Sequence, residues 1–506
     1  GPRVSGSKPL VLASASAYES ILRRAGILAD RGKRREALGR AFLKAGSSLK
    51  GGKLRPDEEL LDTVSNDVEN AFVLSGSFDE KYLELPDEVV VTAMKEHQKY
   101  FAVQDSGGKL LPAFVAATGL AKSGPAVVNG HERVLRARLE DARFYMNEDL
   151  KTTMGEKAAR LDQVVFIRDW GTMKERTERL VGLTKALGGN SVAQDIASLC
   201  KADLVTQMIK DGKEFTKLQG AIGRVYALRE GLSKDLALGI EQHYRPRFPG
   251  DLLPDSVEAC LVALAEKADH IAAGFITGKI PTGSADPFGL RRHAIGILSI
   301  LRKKESLSVR VGFLMREALA GYEAQFSGKV DAALAGKMTA FVLERLAQAF
   351  KEEGLPADVL VAVQASGEDE PRVFDAKARA IASWRGNAGA EKRLTALLRS
   401  LRILNSDGAK ADLGAKMDEG ALSAASEKGL LSALAAVRAG FHQHVAAGLY
   451  AKAFEDLEPL REQIDAFFTE VMVMDKDPVL RRNRLALCAE IRKLTVQLGD
   501  LTRLGG

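Results

Sequence analysis

The chain has 506 residues, more than one hydrophobic core organises, so several domains are expected. With 46% hydrophobic and 28% charged residues it has the make-up of a folded globular protein, and only 6% aromatics, against abundant Ala, Leu, Lys, Arg and Glu, favours helix over sheet. A net charge of +6 is too small for a protein that coats DNA and leaves room for local basic patches facing RNA.

The three cysteines, Cys200, Cys260 and Cys488, match neither a zinc site nor a disulfide framework, and read as buried thiols in a reducing cytoplasm. No run of about 18 apolar residues and no charged-then-apolar leader occurs, so neither a membrane span nor a signal peptide is expected. Gly1-Pro2 without an initiator Met has the look of a protease scar, which implies an absent upstream segment.

Residues 3–15 are Gly/Ser-rich and read as a loose lead-in; Ala17 to Lys50 suits short basic helices. Glu88–Lys95 and Leu110–Thr118 read as strands, with Tyr100–Gln104 between them and a turn over Asp105–Gly108, whose Gly pair supplies the positive φ of a hairpin. From Glu132 to Leu150 the residues Leu135, Leu139, Ala142 and Met146 line one helical face, and Arg136, Glu140 and Arg143 lie at pairing distance on the next. Helices then alternate with turns at Gly171, Gly188, Gly212, Gly231 and Pro246 to Pro254. In the loop Pro281–Gly289, Asp286 is expected to cap the following turn, Pro287 to take the first helical position and Phe288 to anchor it. Beyond Ser306 the chain is Ala/Leu/Glu/Lys helix with breaks at Gly367–Pro371 and Asn405–Gly408.

Near the end, Phe467, Phe468, Val471 and Met472 close one helix, Asp475-Lys-Asp-Pro478 makes an acidic turn, and a second helix opens with Arg481, Arg482, Asn483 and Arg484. Leu480, Leu487, Ile491, Leu494 and Leu498 form its apolar stripe, beside a cationic stripe of Arg481, Arg484 and Arg492. The pattern alone gives a helical hairpin with a basic corner, for which a solvated helix edge is the plainer reading.

No nucleotide chemistry is legible. Gly46-x4-Gly51 is followed by Gly52-Lys53-Leu54, which misplaces the Lys of a phosphate loop and lacks its Ser or Thr. The helical stretch from about 161 to 304 looks like an HD-type fold, yet Ala202 stands where the metal-binding His belongs. Asp203 and Asp269 remain as vestigial carboxylates without imidazoles, a poor donor set for a borderline metal.

The wording of the C-terminal hairpin closely resembles the end of the β subunit of the bacterial heterotetrameric glycyl-tRNA synthetases. Five further segments are similar to that family in the same order: Thr92-Ala-Met-Lys-Glu-His-Gln-Lys-Tyr-Phe101 with Gly108-Lys-Leu-Leu-Pro-Ala-Phe114; Asn129-Gly-His-Glu-Arg-Val-Leu-Arg-Ala-Arg138; Lys201-Ala-Asp-Leu-Val-Thr-x-Met208; Leu218-Gln-Gly-x-x-Gly223; and Pro281-Thr-Gly-Ser-Ala-Asp-Pro-Phe-Gly-Leu-Arg-Arg292. His131 intrudes in the second, and the family's N-terminal segment is absent. The resemblance implies a mostly α, multidomain chain with a small mixed α/β unit, a central HD-like helical domain and a helical C-terminal anticodon-binding domain of the DALR type. The expected boundaries are 1–55, 56–150, 151–305, 306–389 and 390–506.

It further implies the β subunit of a cytoplasmic α2β2 ligase that binds tRNA for glycine, with no catalytic residue, metal or cofactor on this chain and with ATP and Mg at the α subunit; no DNA and no membrane are involved. The residues expected on tRNA are Arg481, Arg482, Asn483, Arg484 and Arg492, with Lys95, Lys99 and Tyr100 (beside His97) on the mixed unit and Arg291 and Arg292 on the central loop. A non-catalytic RNA-binding scaffold and an HD-type metal phosphohydrolase are the contrasting readings.

Overall fold

The computed structural model describes residues 10–12, 14–49, 51–96, 98–119, 123–406, 409 and 417–505. Most of the lead-in over 3–15, His97 and residues 407–408 of the Asn405–Gly408 break lie outside them. The chain is mostly helical and divides into two compact units: Gly1–Val181 with Gly189–Tyr244, and Gly182–Gly188 with Arg245–Gly506. The boundaries fall inside the segment 151–305: the one after Tyr244 lies in a stretch without helix, and the one after Val181 cuts the helix Met173–Ala186.

The first unit opens with α1 (Tyr18–Arg24) and α2 (Arg31–Ser48), followed by β1 (Lys53–Leu54), α3 (Glu58–Asp67), β2 (Phe72–Ser77), α4 (Asp87–Lys95), β3 (Phe101–Gln104) and β4 (Leu110–Thr118). The four strands pair antiparallel in the order β1-β3-β4-β2. The β3–β4 hairpin turns as expected at Asp105–Gly108, where Gly108 takes φ +88 and the Asp105 carboxylate accepts from Lys109 N at 2.9 Å.

Alternation along β4 sends its residues to two cores. Val115 joins Leu38 and Phe42 of α2, Leu60 and Val64 of α3, and Phe101 and Val103 of β3. Phe114 faces the other way and stacks on Tyr100, and Gly76 lacks a side chain because a Cβ there would stand 2.4 Å from the Phe114 ring. Each fully buried Leu, Val or Phe contributes about 1.5–3 kcal/mol.

The strand expected over Glu88–Lys95 is instead α4. Its buried residues, Val89, Val90, Ala93 and Met94, recur with helical and not two-residue spacing, and Asp87 and Glu88 occupy the first turn, where a helix favours negative charge. Packing on β3 and on α5 (Pro125–Asp149) outweighs the β preference of the Val-Val-Val run. On α5 the predicted stripe, Leu135, Leu139, Ala142 and Met146, is buried. The ion pairs expected within that helix run elsewhere: Glu140 meets Lys81 Nζ at 2.7 Å and accepts from the Tyr82 hydroxyl at 2.6 Å, and Glu132 accepts from Ser77 N at 2.8 Å. The unit continues through α6 (Met154–Ala159), the part of α7 (Met173–Ala186) up to Val181, α8 (Ser191–Leu199), α9 (Gln207–Lys210), α10 (Ala221–Arg229) and α11 (Lys234–Gln242).

In the second unit α12 (Val257–Ile276) is buried along almost its whole length, the mark of a helix surrounded by others. It packs on α13 (Leu290–Lys303), α14 (Val311–Gln325) and α15 (Leu334–Glu352). Then come α16 (Ala357–Ala365), α17 (Pro371–Gly386), α18 (Ala390–Ile403), α19 (Ala425–Ala446), α20 (Tyr450–Asp456), α21 (Leu460–Glu470) and α22 (Pro478–Thr495). The expected break at Gly367–Pro371 separates α16 from α17, with Gly367 at φ +81 and Pro371 opening the helix. Helix α19 packs on α20, α21 and α22, and α18 lies against α21 and α22. The three cysteines are buried.

Candidate nucleic-acid interface

The C-terminal hairpin forms as its sequence predicts: α21 ends at Glu470, Asp477 caps α22 by accepting from Val479 N at 2.8 Å, and Pro478 takes the first helical position. Leu487, Ile491, Leu494 and Leu498 are buried and Leu480 is half-buried.

Two residues expected to touch RNA turn inward. The Arg484 side chain is 7% exposed; its Nε donates to Glu427 Oε1 at 2.6 Å, and its Nη1 to Asp475 Oδ2 at 2.7 Å and to Met472 O at 3.0 Å. Glu427 is itself wholly buried and its other oxygen accepts from Ser423 N and Ala424 N, both at 2.9 Å, at the start of α19. Arg484 thus ties the hairpin turn to another helix, because a buried guanidinium requires partners for its charge and donors. Asn483, also buried, accepts from Asp418 N at 2.9 Å and donates to Asp418 O at 3.0 Å, so its amide is spent on one backbone position and not on a base edge. Arg481 lies half-buried with Nη1 3.3 Å from Asp475 O, while Arg482 is exposed and bends back to Pro478 O at 3.1 Å.

Asp475 accepts from Asp477 N at 2.9 Å and from Arg484, and these bonds hold its carboxyl below the ordinary 3.8. A depressed carboxylate contributes stability that is present above its unfolded value and lost as pH falls through its folded one. Unfolding by urea, followed between neutral pH and pH well below 3.8, is therefore expected to lose stability in the acid range, with Asp475→Asn giving a shallower acid slope than the parent chain.

Arg492 differs from the corner residues. It is exposed and lines a cavity of about 110 Å³ bounded by Ala365, Leu401 and Asn405 on one side and by Thr495, Gly499, Asp500 and Thr502 on the other. Sequence periodicity placed Arg492 on the cationic stripe; Asn405 and Asp500 gave no signal, because the elements that carry them come together only in the fold.

The mixed unit presents a less open surface than expected. Lys95 pairs with Asp57 at 2.8 Å and Glu59 at 3.2 Å, and Lys99, at φ +57, donates to Glu96 O at 2.9 Å. Tyr100 is 2% exposed: its ring already stacks on Phe114 at 4.4 Å and its hydroxyl lies 2.6 Å from His131 Nδ1, leaving no face for a base. Burial pushes the Tyr100 phenol up to about 12 and lowers His131, so a protonated phenol meets a neutral imidazole, and the hydroxyl also donates to Gln98 Oε1 at 3.3 Å. His131, the family signature's intruding residue, is thereby a structural partner of Tyr100.

In the central loop Asp286 caps as expected, accepting from Leu290 N at 2.8 Å and Arg291 N at 3.0 Å. Pro287 precedes the helix, which starts only at Leu290 after Gly289 at φ +65. Phe288 is half-buried, its carbonyl 3.1 Å from His270 Nε2. Arg291 braces the loop by donating to Gly283 O at 2.6 Å, and Arg292 is exposed. Asp203, of the first unit, is buried and accepts from Gly220 N at 2.6 Å; Asp269, of the second, is buried on α12. Among the described residues no three His, Cys, Asp or Glu side chains are grouped to hold a metal.

Fold and surface define a mostly helical multidomain protein ending in a packed set of helices with exposed arginines. A profile of the glycyl-tRNA synthetase beta subunit matches residues 1–365, and one of the DALR anticodon binding domain matches 392–501. Among curated relatives, the glycine–tRNA ligase beta subunit of Desulforapulum autotrophicum is 38% identical over 97% of this chain and 72% of its own length. Those of Aeromonas salmonicida and Serratia proteamaculans are 37% and 35% identical over 100% of the chain and 73% of theirs. The chain belongs to the glycyl-tRNA synthetase beta-subunit family.

Proposed function

We infer that this chain binds tRNA for glycine through its C-terminal helical domain and supports attachment of glycine in a cytoplasmic complex with an α subunit, as an α2β2 assembly. The α subunit activates glycine with ATP and Mg, and this chain holds the tRNA. The observation that carries the reading is the coincidence of the DALR match over 392–501 with a packed set of helices, α18 to α22, on which Arg402, Arg482 and Arg492 are exposed. Phosphate contacts from such residues fix the position of an RNA, and contacts to base edges select it. No helix among the described residues is long and apolar enough to cross a membrane.

The test is charging. Glycine is expected to become attached to its tRNA when this chain and an α subunit are mixed, with neither alone reaching the rate of the mixture. Full tRNA binding with no effect on charging favours the scaffold, and metal-dependent release of phosphate from nucleotides by this chain alone favours the hydrolase.

A further inference from the structure

The mixed α/β unit holds a cavity of about 260 Å³ between the stretch Arg55–Asp57, α3, α4 and the start of β3. A cavity of about 150 Å³ lined by apolar side chains takes up benzene, so this one has room for a branched or aromatic side chain and a charged head besides. Its walls are largely apolar: Leu60 comes from α3, Val91 from α4, and Tyr100, Phe101 and Ala102 from the β3 end. Leu60, Tyr100 and Phe101 are buried and held in the two cores of the sheet, so the walls are fixed in place.

Three charged residues complete the lining. Arg55 N donates to Ala102 O at 2.9 Å and Asp57 has φ −151, so the chain runs extended past β1. In an extended chain residues two apart lie on the same side, and Arg55 and Asp57 both border the cavity. Asp57 Oδ1 caps α3 by accepting from Leu60 N at 2.9 Å, and its Oδ2 meets Lys95 Nζ at 2.8 Å. Lys95 also meets Glu59 Oε2 at 3.2 Å, so two carboxylates share one ammonium and one negative charge is left over. Arg55 is exposed, and its guanidinium makes no hydrogen bond or ion pair with the described residues. A donor fork and a surplus of negative charge thus stand side by side at the edge of an apolar cavity.

A molecule that carries a carboxylate and an ammonium on one carbon, with an apolar side chain, answers all three features. A carboxylate matches the Arg55 fork, an ammonium matches the surplus charge at Asp57, whose oxygens each accept more than one bond, and the side chain fills the apolar space. A simple anion satisfies Arg55 and leaves the surplus carboxylate uncompensated; a simple amine does the reverse. Glycine has no side chain to fill the cavity. We propose that this cavity binds a free α-amino acid with a side chain of leucine or phenylalanine size, its carboxylate on Arg55, its ammonium on Asp57 Oδ2 and its side chain against Leu60, Val91 and Phe101. The site requires neither tRNA nor an α subunit, and its occupant is not the glycine of the charging reaction.

The experiment is titration calorimetry of the full chain with L-leucine and L-phenylalanine, at least one of which is expected to bind with a Kd of about 1 mM or lower, while glycine gives no measurable heat. Leucine methyl ester lacks the free carboxylate and isocaproate lacks the ammonium, and each is expected to bind about 10-fold to 100-fold more weakly than leucine, the effect of losing a hydrogen bond to a charged group. The ester also stands for an aminoacyl group carried on RNA, so the comparison separates a free amino acid from an esterified one. Arg55→Gln, at an exposed position, is expected to melt as the parent does and to lose the preference for leucine over its ester. Asp57→Asn keeps an acceptor for Leu60 N and is expected to narrow the preference for leucine over isocaproate. The proposal is overturned if neither amino acid binds, if glycine or the ester binds as tightly as leucine, or if both variants discriminate as the parent does.

Discussion

Replacing Arg484 with alanine is expected to destabilise the C-terminal helices by about 3–5 kcal/mol, the cost of stranding a buried charge when its partner is removed. The charge left behind is Glu427, whose side chain is fully buried against the start of α19. Two further acceptors, Asp475 Oδ2 and Met472 O, lose a donor at the same time. Against a domain stability of about 5–15 kcal/mol that loss is large, and urea unfolding followed by circular dichroism measures it. Arg484→Met with Glu427→Gln removes both charges and leaves an amide oxygen to accept from Ser423 N and Ala424 N, and it is expected to recover part of the loss. An Arg484→Ala chain that melts as the parent does would place this guanidinium outside the packed corner.

The same variant separates packing from recognition. Arg481, Arg482 and Arg484 read as one cluster in sequence, and neutralising all three would weaken tRNA binding for two unrelated reasons. Arg482→Gln, at an exposed position, is expected to leave stability within about 0.5 kcal/mol, as surface substitutions do. If Arg482 meets a phosphate, the slope of log affinity against log salt falls by just under one.

What could be read along the chain was the local pattern: the stripe of α5, the cap and proline of α22, the hairpin turn at Gly108, the break at Gly367. Each is set by residues within a turn or two of one another. What could not be read depends on partners far away in sequence. Glu427 lies 57 residues from Arg484 and Asp418 65 from Asn483, so nothing near the corner marks two of its polar residues as interior. The Val-Val-Val run of α4 failed for the opposite reason, a true local preference overruled by the core it packs on. Tyr100 looked like a stacking platform because an aromatic beside cations fits RNA, and the fold spends it on Phe114 and His131.

The segments that made the family recognisable prove largely to be knots in the scaffold, and Asp149 shows how one is tied. Its buried carboxylate closes α5 by accepting from Gln207 N at 2.7 Å, Met208 N at 3.1 Å and the Tyr226 hydroxyl at 2.8 Å. Gln207 and Met208 end the Lys201–Met208 segment, and within it Asp203 reaches Gly220 N of the Leu218–Gly223 segment. Gly223 must be small there, since a Cβ would stand 2.8 Å from Ile240 and 3.4 Å from Asp203. Desolvation, with Asp149 close by, raises the Tyr226 phenol far above its usual range, so it remains a donor throughout the physiological span. Asp149→Ala leaves three donors facing a void, each costing about 1–3 kcal/mol when buried unsatisfied, and is expected to unfold the first unit or lower its melting temperature by well over 10 °C. Tyr226→Phe removes a single donor and is expected to cost about 1 kcal/mol. Hydrogen exchange at Gln207 and Met208 reads the knot directly: protection lost there in Asp149→Ala but kept in Tyr226→Phe places the carboxylate, and not the phenol, at its centre.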